Sequence, residues 1–348
     1  MSSPKTVLVT GISGFIATHV ALRFLENGWN VRGTVRSEDK GRKVAELPVF
    51  KPYAKQLSFT VVEDLVTGDF TEAVKGVDAV AHTASPFHMA GKDWHKDYEG
   101  PAVEGTKNVL EAAAKVPSVK HVVVTSSFAS VGNFNIPATQ QADKVYTEED
   151  WNPITNDDCE KLKADDPMAG SIWYCASKKL AEQAAWDVAK KASYKLSTIC
   201  PPMVFGPPLH AIASLDALNT SSGAVYSLMK ADGSSAKEVP ETAFPAFADV
   251  REVATAHYET VARDIEGRFV ICNGVYDNQH VVDYIRKEFP ELKDRLAEGK
   301  PGEYMDGKVF RLDASKSEKE LGVKYHTFEE TIKDTVHELL EIEKKVKA

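Results

Sequence analysis

The chain has 348 residues, 43% of them hydrophobic, with a formal net charge of −9. That length and apolar content support one large core, alone or with a smaller lobe. The acidic balance, with no basic patch interleaved with aromatics, argues against nucleic acid or an anionic membrane as the main partner. Met1-Ser2-Ser3-Pro4-Lys5 runs into the first apolar strand with no leader-like apolar region. No apolar run is long enough to span a bilayer. The four cysteines, Cys159, Cys175, Cys200 and Cys272, are scattered. They form no CxxC and no Cys/His metal spacing, so reduced thiols, no metal site and a cytoplasmic protein are expected.

In chain order, Val7-Leu8-Val9-Thr10 reads as a strand covered on both faces. Gly11-Ile12-Ser13-Gly14-Phe15-Ile16-Ala17 follows as a tight glycine turn opening a helix. Such a turn lets the backbone approach a pyrophosphate and aims the helix dipole at it. The helix runs from Phe15 to Asn27 and stops at Gly28. Strands are expected at Val31–Val35, Leu57–Val62, Val77–His82 and Val119–Thr125. Helices are expected after Arg36-Ser37-Glu38-Asp39-Lys40, near Phe70–Lys75 and over Ala102–Lys115. This alternation predicts an α/β fold of the Rossmann type, a doubly wound parallel sheet that binds ligands beyond the carboxyl ends of its strands.

Residues 135–168 are polar, acidic and rich in turn formers, and read as a surface excursion. Ser171–Lys191 resumes helical periodicity, and Leu196–Ile199 is a further strand. Cys200 to Pro207 reads as a rigid extended loop because of its prolines. Helices near Ala224–Lys230, Val250–Arg263, Val281–Glu288 and Thr327–Lys345, and a strand at Arg268–Cys272, complete the chain. Residues 1–200 are expected to form the dinucleotide-binding Rossmann domain, with some later segments returning to it. Residues 201–348 are expected to form mainly a substrate-binding lobe.

Tyr174 and Lys178, four apart, share one helix face. An ammonium beside a phenol favours phenolate, so Lys178 is expected to lower the Tyr174 pKa. A second Tyr-x-x-x-Lys pair, Tyr304 with Lys308, lies in a glycine-punctuated stretch and reads as chance. Ser127 ends a strand on the ligand side and suits hydrogen bonding to a carbonyl oxygen that gains charge. The strand end at Thr34-Val35-Arg36 carries no acid for a ribose hydroxyl. Arg36 and Lys40 instead offer two cations suited to a 2′-phosphate, and hence to NADPH.

Taken together, Thr10-Gly11-x-x-Gly14-Phe15-Ile16, Thr125-Ser126-Ser127, Tyr174-x-x-x-Lys178 and Pro201-x-x-Val204-Phe205-Gly206-Pro207 resemble an extended short-chain dehydrogenase/reductase. Within it the chain resembles the dihydroflavonol-reductase-like branch, and fungal ketone, aldehyde and methylglyoxal reductases in particular. Ala84-Ser85-Pro86-Phe87, Asn219-Thr220-Ser221, Asp249 to His257 and Leu312-Asp313-x-Ser315-Lys316 extend the resemblance over nearly the whole chain. Ala17 at the third small position of the turn is acceptable in this family. Glu252 stands where these reductases often have Asp, and Met203 where yeast members carry an aromatic residue.

The resemblance implies NADPH/NADP+ as cofactor and a small-molecule aldehyde or ketone as substrate. It implies Ser127, Tyr174 and Lys178 as catalytic residues. It also implies cofactor contacts from Gly11, Ile12, Ser13, Gly14, Phe15, Ile16, Arg36, Lys40, Asp64, Leu65, Thr83, Ala84, Ser85, Tyr174, Lys178, Pro201, Val204 and Ser221. Phe87, Phe128, Phe134 and Met203 are the candidate substrate pocket. Asn108 is either a relay residue, by analogy with shorter members, or a helix-packing residue. The segment Trp173 to Trp186 also resembles plant cinnamoyl-CoA and dihydroflavonol reductases. A cofactor-sensing protein without chemistry is the rival from another class. A monomer or homodimer is expected.

Overall fold

The structure is a computed structural model and describes residues 4–85, 90–230 and 238–347. Phe87 lies outside the described residues. The chain opens with β1 (Thr6–Val9), α1 (Phe15–Glu26), β2 (Asn30–Val35), α2 (Glu38–Ala45), β3 (Leu57–Val61), α3 (Thr71–Val74) and β4 (Ala79–His82). It continues through α4 (Gly100–Ala114), β5 (His121–Thr125), β6 (Val145–Tyr146), α5 (Asn156–Lys161), α6 (Ala169–Ala189) and β7 (Lys195–Cys200). Then come β8 (Met203–Phe205), α7 (Thr220–Leu228), β9 (Ala246–Asp249), α8 (Val250–Ala262) and β10 (Gly267–Val270). β11 (Gly274–Val275), α9 (Asn278–Glu288), β12 (Arg311–Leu312) and α10 (Phe328–Lys347) finish it.

The main sheet has seven strands in the order β3-β2-β1-β4-β5-β7-β10, and every pairing in it is parallel. Side chains alternate across it, as the strand period of two demands. Val7 and Val9 face a core with Phe24 of α1 and Val253 of α8. Leu8 faces the opposite core with Val80, Val122 and Leu110 of α4. Strand order reverses between β1 and β4, which opens a crevice beyond their carboxyl ends.

Gly33 in β2 has a packing reason. A Cβ there would lie 2.5 Å from Ile12 Cγ2, so only glycine lets the turn after β1 lie against the strand. Residue 264 is followed by β10, which returns to the edge of the main sheet beside β7.

One expectation is corrected. The segment Cys200 to Pro207 is not all loop: past Pro201 and Pro202, β8 pairs in parallel with β9, and β11 adds antiparallel to β9. The prolines precede the paired residues and so cost no ladder bond. The excursion 135–168 also holds order. Its β6 pairs with β12, and α5 begins at a capping box of Thr155 and Asp158. α7, α9 and α10 enclose a third core around Phe205, Phe247 and Ile332. No helix among the described residues is long and apolar enough to cross a membrane.

Candidate active site

The glycine turn stands where the sequence places it. Gly11 has φ +64°, and a Cβ on it would lie 3.1 Å from Ala84 Cβ. A side chain would therefore fill the gap between the turn and the segment after β4. Gly11 N–H donates to Thr34 Oγ1 at 2.9 Å, and Ile12 N–H to Thr34 O at 3.2 Å. Ile12 buries its side chain in the core, leaving backbone alone for any ligand contact. Gly14 caps α1 without a side-chain hydrogen bond, and the first turn holds no acid. The positive end of the helix around Gly14, Phe15 and Ile16 is thus uncompensated, which suits an anion.

Thr10 ties this turn to the end of β4. Its hydroxyl accepts from Thr83 N–H (3.1 Å) and Ala84 N–H (3.0 Å) and lies 2.9 Å from His82 Nδ1. With two donors already on Thr10 Oγ1, its own proton goes to His82, so Nδ1 accepts and the ring is neutral. Burial, with the nearby Lys178 charge, holds His82 down to about 3. The Thr83 hydroxyl donates to Thr10 O. Thr83, Ala84 and Ser85 therefore line the crevice beside the glycine turn.

At the β2 and β3 ends, Arg36 and Lys40 are exposed. Asp39 pairs with Arg42 and Lys43 (3.3 and 2.8 Å). Among the described residues no ion pair engages Arg36 or Lys40. Asp64 closes its own turn, accepting from Val66 N–H and Thr67 N–H at 2.9 and 2.7 Å. The Thr67 bonds, and more weakly Arg36, hold its carboxyl below the usual carboxylate range. Leu65 packs under α4, where a Cβ on Gly105 would lie 2.9 Å from its side chain. The Asn108 amide donates to the carbonyls of Leu65, Val66 and Gly68 at 3.1, 3.1 and 2.8 Å. All three bonds hold this loop in place, which is the packing alternative for Asn108.

α6 supplies the remaining groups. The Tyr174 phenol lies near the Ser127 hydroxyl, which favours its ionised form. Ser127 also accepts from Ala129 N–H at 3.1 Å. Lys178 is buried and donates to Thr125 O at 3.2 Å. Here the sequence expectation is corrected. Burial is the dominant influence on Tyr174 and pushes its phenol above the usual value, opposed by the nearby Ser127 hydroxyl. Lys178 is itself brought down to about 8 by desolvation, against the pull of Glu182 and Cys200. The second pair, Tyr304 with Lys308, is not helical: Tyr304 OH donates to Asp283, and Lys308 to Tyr304 O.

Pro201 O accepts from Phe128 N–H at 2.8 Å, binding the β7 end to the Ser127 turn. Ser221, at the start of α7, donates to Val204 O and accepts from Asn219 at 2.9 Å. Phe128 is 2% exposed and sits among Phe134, Tyr146 and Phe310, a core position. Phe134 is half-buried and meets Phe244 edge to face at 5.4 Å, a partner that sequence reasoning missed. Met203 is half-buried against the third core.

All four cysteines are buried and free, and burial pushes the Cys175 thiol up to about 12. Among the described residues, Asp249, Glu252 and His326 bring potential ligand atoms within 4.8 Å of one another. Arg251 already holds both Asp249 oxygens, at 2.9 and 2.6 Å.

This sheet, with a glycine cradle at its switch point and a Ser–Tyr–Lys set at its carboxyl edge, defines the extended short-chain dehydrogenase/reductase class. The profile of the 3-beta hydroxysteroid dehydrogenase/isomerase family matches residues 8–237, and the chain belongs to that family. It is 43% identical over 347 residues to an uncharacterized oxidoreductase of Schizosaccharomyces pombe, covering 97% of this chain and 98% of the relative. It is 34% identical over 356 residues to the NADPH-dependent methylglyoxal reductase of Saccharomyces cerevisiae, covering 98% of this chain and 100% of the relative. The crystal structure of the yeast methylglyoxal/isovaleraldehyde reductase complexed with NADPH superposes with a TM-score of 0.86 at 33% identity, over 98% of this chain and 99% of that one.

Proposed function

We propose that this protein is an NADPH-dependent carbonyl reductase that converts small aldehydes and ketones to alcohols. The observation that carries the reading is that the Ser127 hydroxyl and the Tyr174 phenol are brought near one another, with Lys178 buried on the same helix face, at the strand ends that also carry the glycine turn. The residues fit the cofactor: Gly11 leaves a cradle that a side chain would close, α1 has an uncompensated positive end, and Arg36 and Lys40 suit a 2′-phosphate. Gly11 to Ile16, Asp64 and Leu65, Thr83 to Ser85, Pro201, Val204 and Ser221 would complete its site. The bound cofactor supplies hydride for the carbonyl carbon.

The chain's own groups do the rest. Ser127 donates to the carbonyl oxygen, where negative charge develops. Tyr174 gives that oxygen its proton. Burial serves this step, since it keeps the phenol protonated and able to donate. Lys178 places a positive charge behind the phenol, where phenolate forms. Phe134 and Met203 are the described pocket residues of this reading. The four buried free thiols suit a reducing, cytoplasmic setting.

The test is NADPH consumption with a panel of aldehydes, ketones and a CoA thioester, with the product identified. Turnover of the simple carbonyls is expected. NADPH binding without reduction of any carbonyl, or reduction of the thioester alone, overturns the reading. Arg36→Asp is expected to raise KM for NADPH by roughly 10²-fold and leave KM for NADH almost unchanged, because a charge-assisted phosphate contact becomes a repulsion. Equal effects on the two cofactors count against the phosphate assignment.

A further inference from the structure

We propose that Glu182 is a positioning residue of this centre, a buried carboxylate that locks the turn carrying Ser127 and sets the charge environment of Lys178. The inference rests on the proposed roles of Ser127, Tyr174 and Lys178. Glu182 follows Lys178 by four residues, as Lys178 follows Tyr174, so one face of α6 carries all three. That face grips two consecutive residues at the end of β5 and brings Tyr174 near the next. Lys178 donates to Thr125 O, Glu182 accepts from the Ser126 hydroxyl, and the Tyr174 phenol lies near Ser127.

The carboxylate is 1% exposed. Its Oε2 accepts from Ser126 and Ser130, each at 2.6 Å, the residues just before and three after Ser127. The Ser130 hydroxyl also lies 2.7 Å from Ser127 O, an alternative acceptor for its single proton. Oε1 accepts from Thr198 on β7 at 2.8 Å and from Arg268 Nε on β10 at 2.7 Å. Arg268 is fixed in turn by Glu148 O at 2.8 Å and by the Trp151 ring, whose centroid lies 3.7 Å from Cζ. A buried carboxylate with this many donors stays ionised, and Arg268 with the hydroxyls holds it below the usual range despite burial.

The groups facing Lys178 come from several elements. They are Glu182 on its own helix, Cys200 on β7 and His82 on β4, with Arg268 of β10 behind Glu182. Burial keeps the Cys200 thiol protonated, up to about 12, and His82 neutral. The carboxylate is therefore the anion that offsets desolvation of the Lys178 ammonium. Removing its charge moves the loss of the Lys178 proton to lower pH.

The test compares wild type with Glu182→Gln. It reads kcat for carbonyl reduction and NADPH affinity by fluorescence, both from pH 6 to 10. Wild type is expected to lose both as pH rises through the Lys178 value of about 8. In Glu182→Gln that limb is expected about one pH unit lower in both readouts, so the deficit in kcat grows from about tenfold at pH 6.5 to about 100-fold at pH 8.5. A loss uniform across pH, or no loss, overturns the proposal. Ser126→Ala with Ser130→Ala keeps the carboxylate and removes the clamp, and serves if the Gln variant does not fold. Its kcat is expected to fall with the limb at the wild-type pH, and a shifted limb or an unchanged kcat overturns the proposal. Failure of the wild type to reduce any carbonyl sinks the functional reading instead, and the binding titration still reports on Lys178.

Discussion

Tyr174→Phe is expected to cut carbonyl reduction by ~10²–10⁴-fold, the span of a lost general acid. The ring is retained, so packing against the Trp173 cluster survives. The variant loses the proton donor that lies near Ser127. NADPH affinity is expected to stay within about fivefold, because a single neutral hydrogen bond contributes ~1 kcal/mol. Stopped-flow reduction assays and a fluorescence binding titration on the same preparation separate the two effects. Wild-type turnover in this variant removes Tyr174 from the chemistry.

Acid is expected to unfold the protein in a window set by buried histidines. His19 donates from Nε2 to Pro207 O at 2.9 Å. His257 donates from Nδ1 to Val253 O and accepts at Nε2 from the Thr125 hydroxyl, both at 2.7 Å. His82 accepts from Thr10, as derived above. Burial brings His19 and His257 down to about 4 and His82 to about 3. The unfolded rings titrate near 6.5. A depressed value in the folded state means the unfolded chain binds protons first. Stability is therefore complete above pH 6.5 and is lost as pH falls through the folded values. At pH 4 each ring forfeits on the order of 3 kcal/mol. Together they rival the whole stability of a typical protein. A series of melting temperatures from pH 7.5 to 4 checks this, and a flat series contradicts it. The loss also strikes the site: protonated His82 can no longer accept from Thr10, which joins the glycine turn to Thr83 and Ala84.

The sheet was legible because its strands are short apolar runs alternating with amphipathic helices, a pattern each segment carries locally. The glycine turn and the Tyr174–Lys178 spacing were legible for the same reason. β8 was hidden because its pairing partner β9 lies some forty residues on and prolines precede it. Arg268 was hidden because its partner Glu182 lies 86 residues away. Glu182 itself had a visible signal, its place one turn beyond Lys178 on the same face. The raised state of Tyr174 was not legible because spacing reports which charges are near and says nothing of desolvation, the dominant influence here. Thr10 and His82 meet across 72 residues through the β1–β4 register alone.

The position of Arg268 bears on how the polypeptide matures. The edge strand β10 is among the later pieces to leave the ribosome, long after β1 to β7 and α6 have been made. Until it docks, the Glu182 carboxylate has hydroxyl donors and no guanidinium. A carboxylate enclosed without its countercharge is costly, so it takes up a proton or stays hydrated. The Rossmann core can therefore be assembled and still lack the electrostatics of its own centre. Addition of one four-residue strand at the margin of the sheet completes it, which places the onset of chemistry at the end of folding.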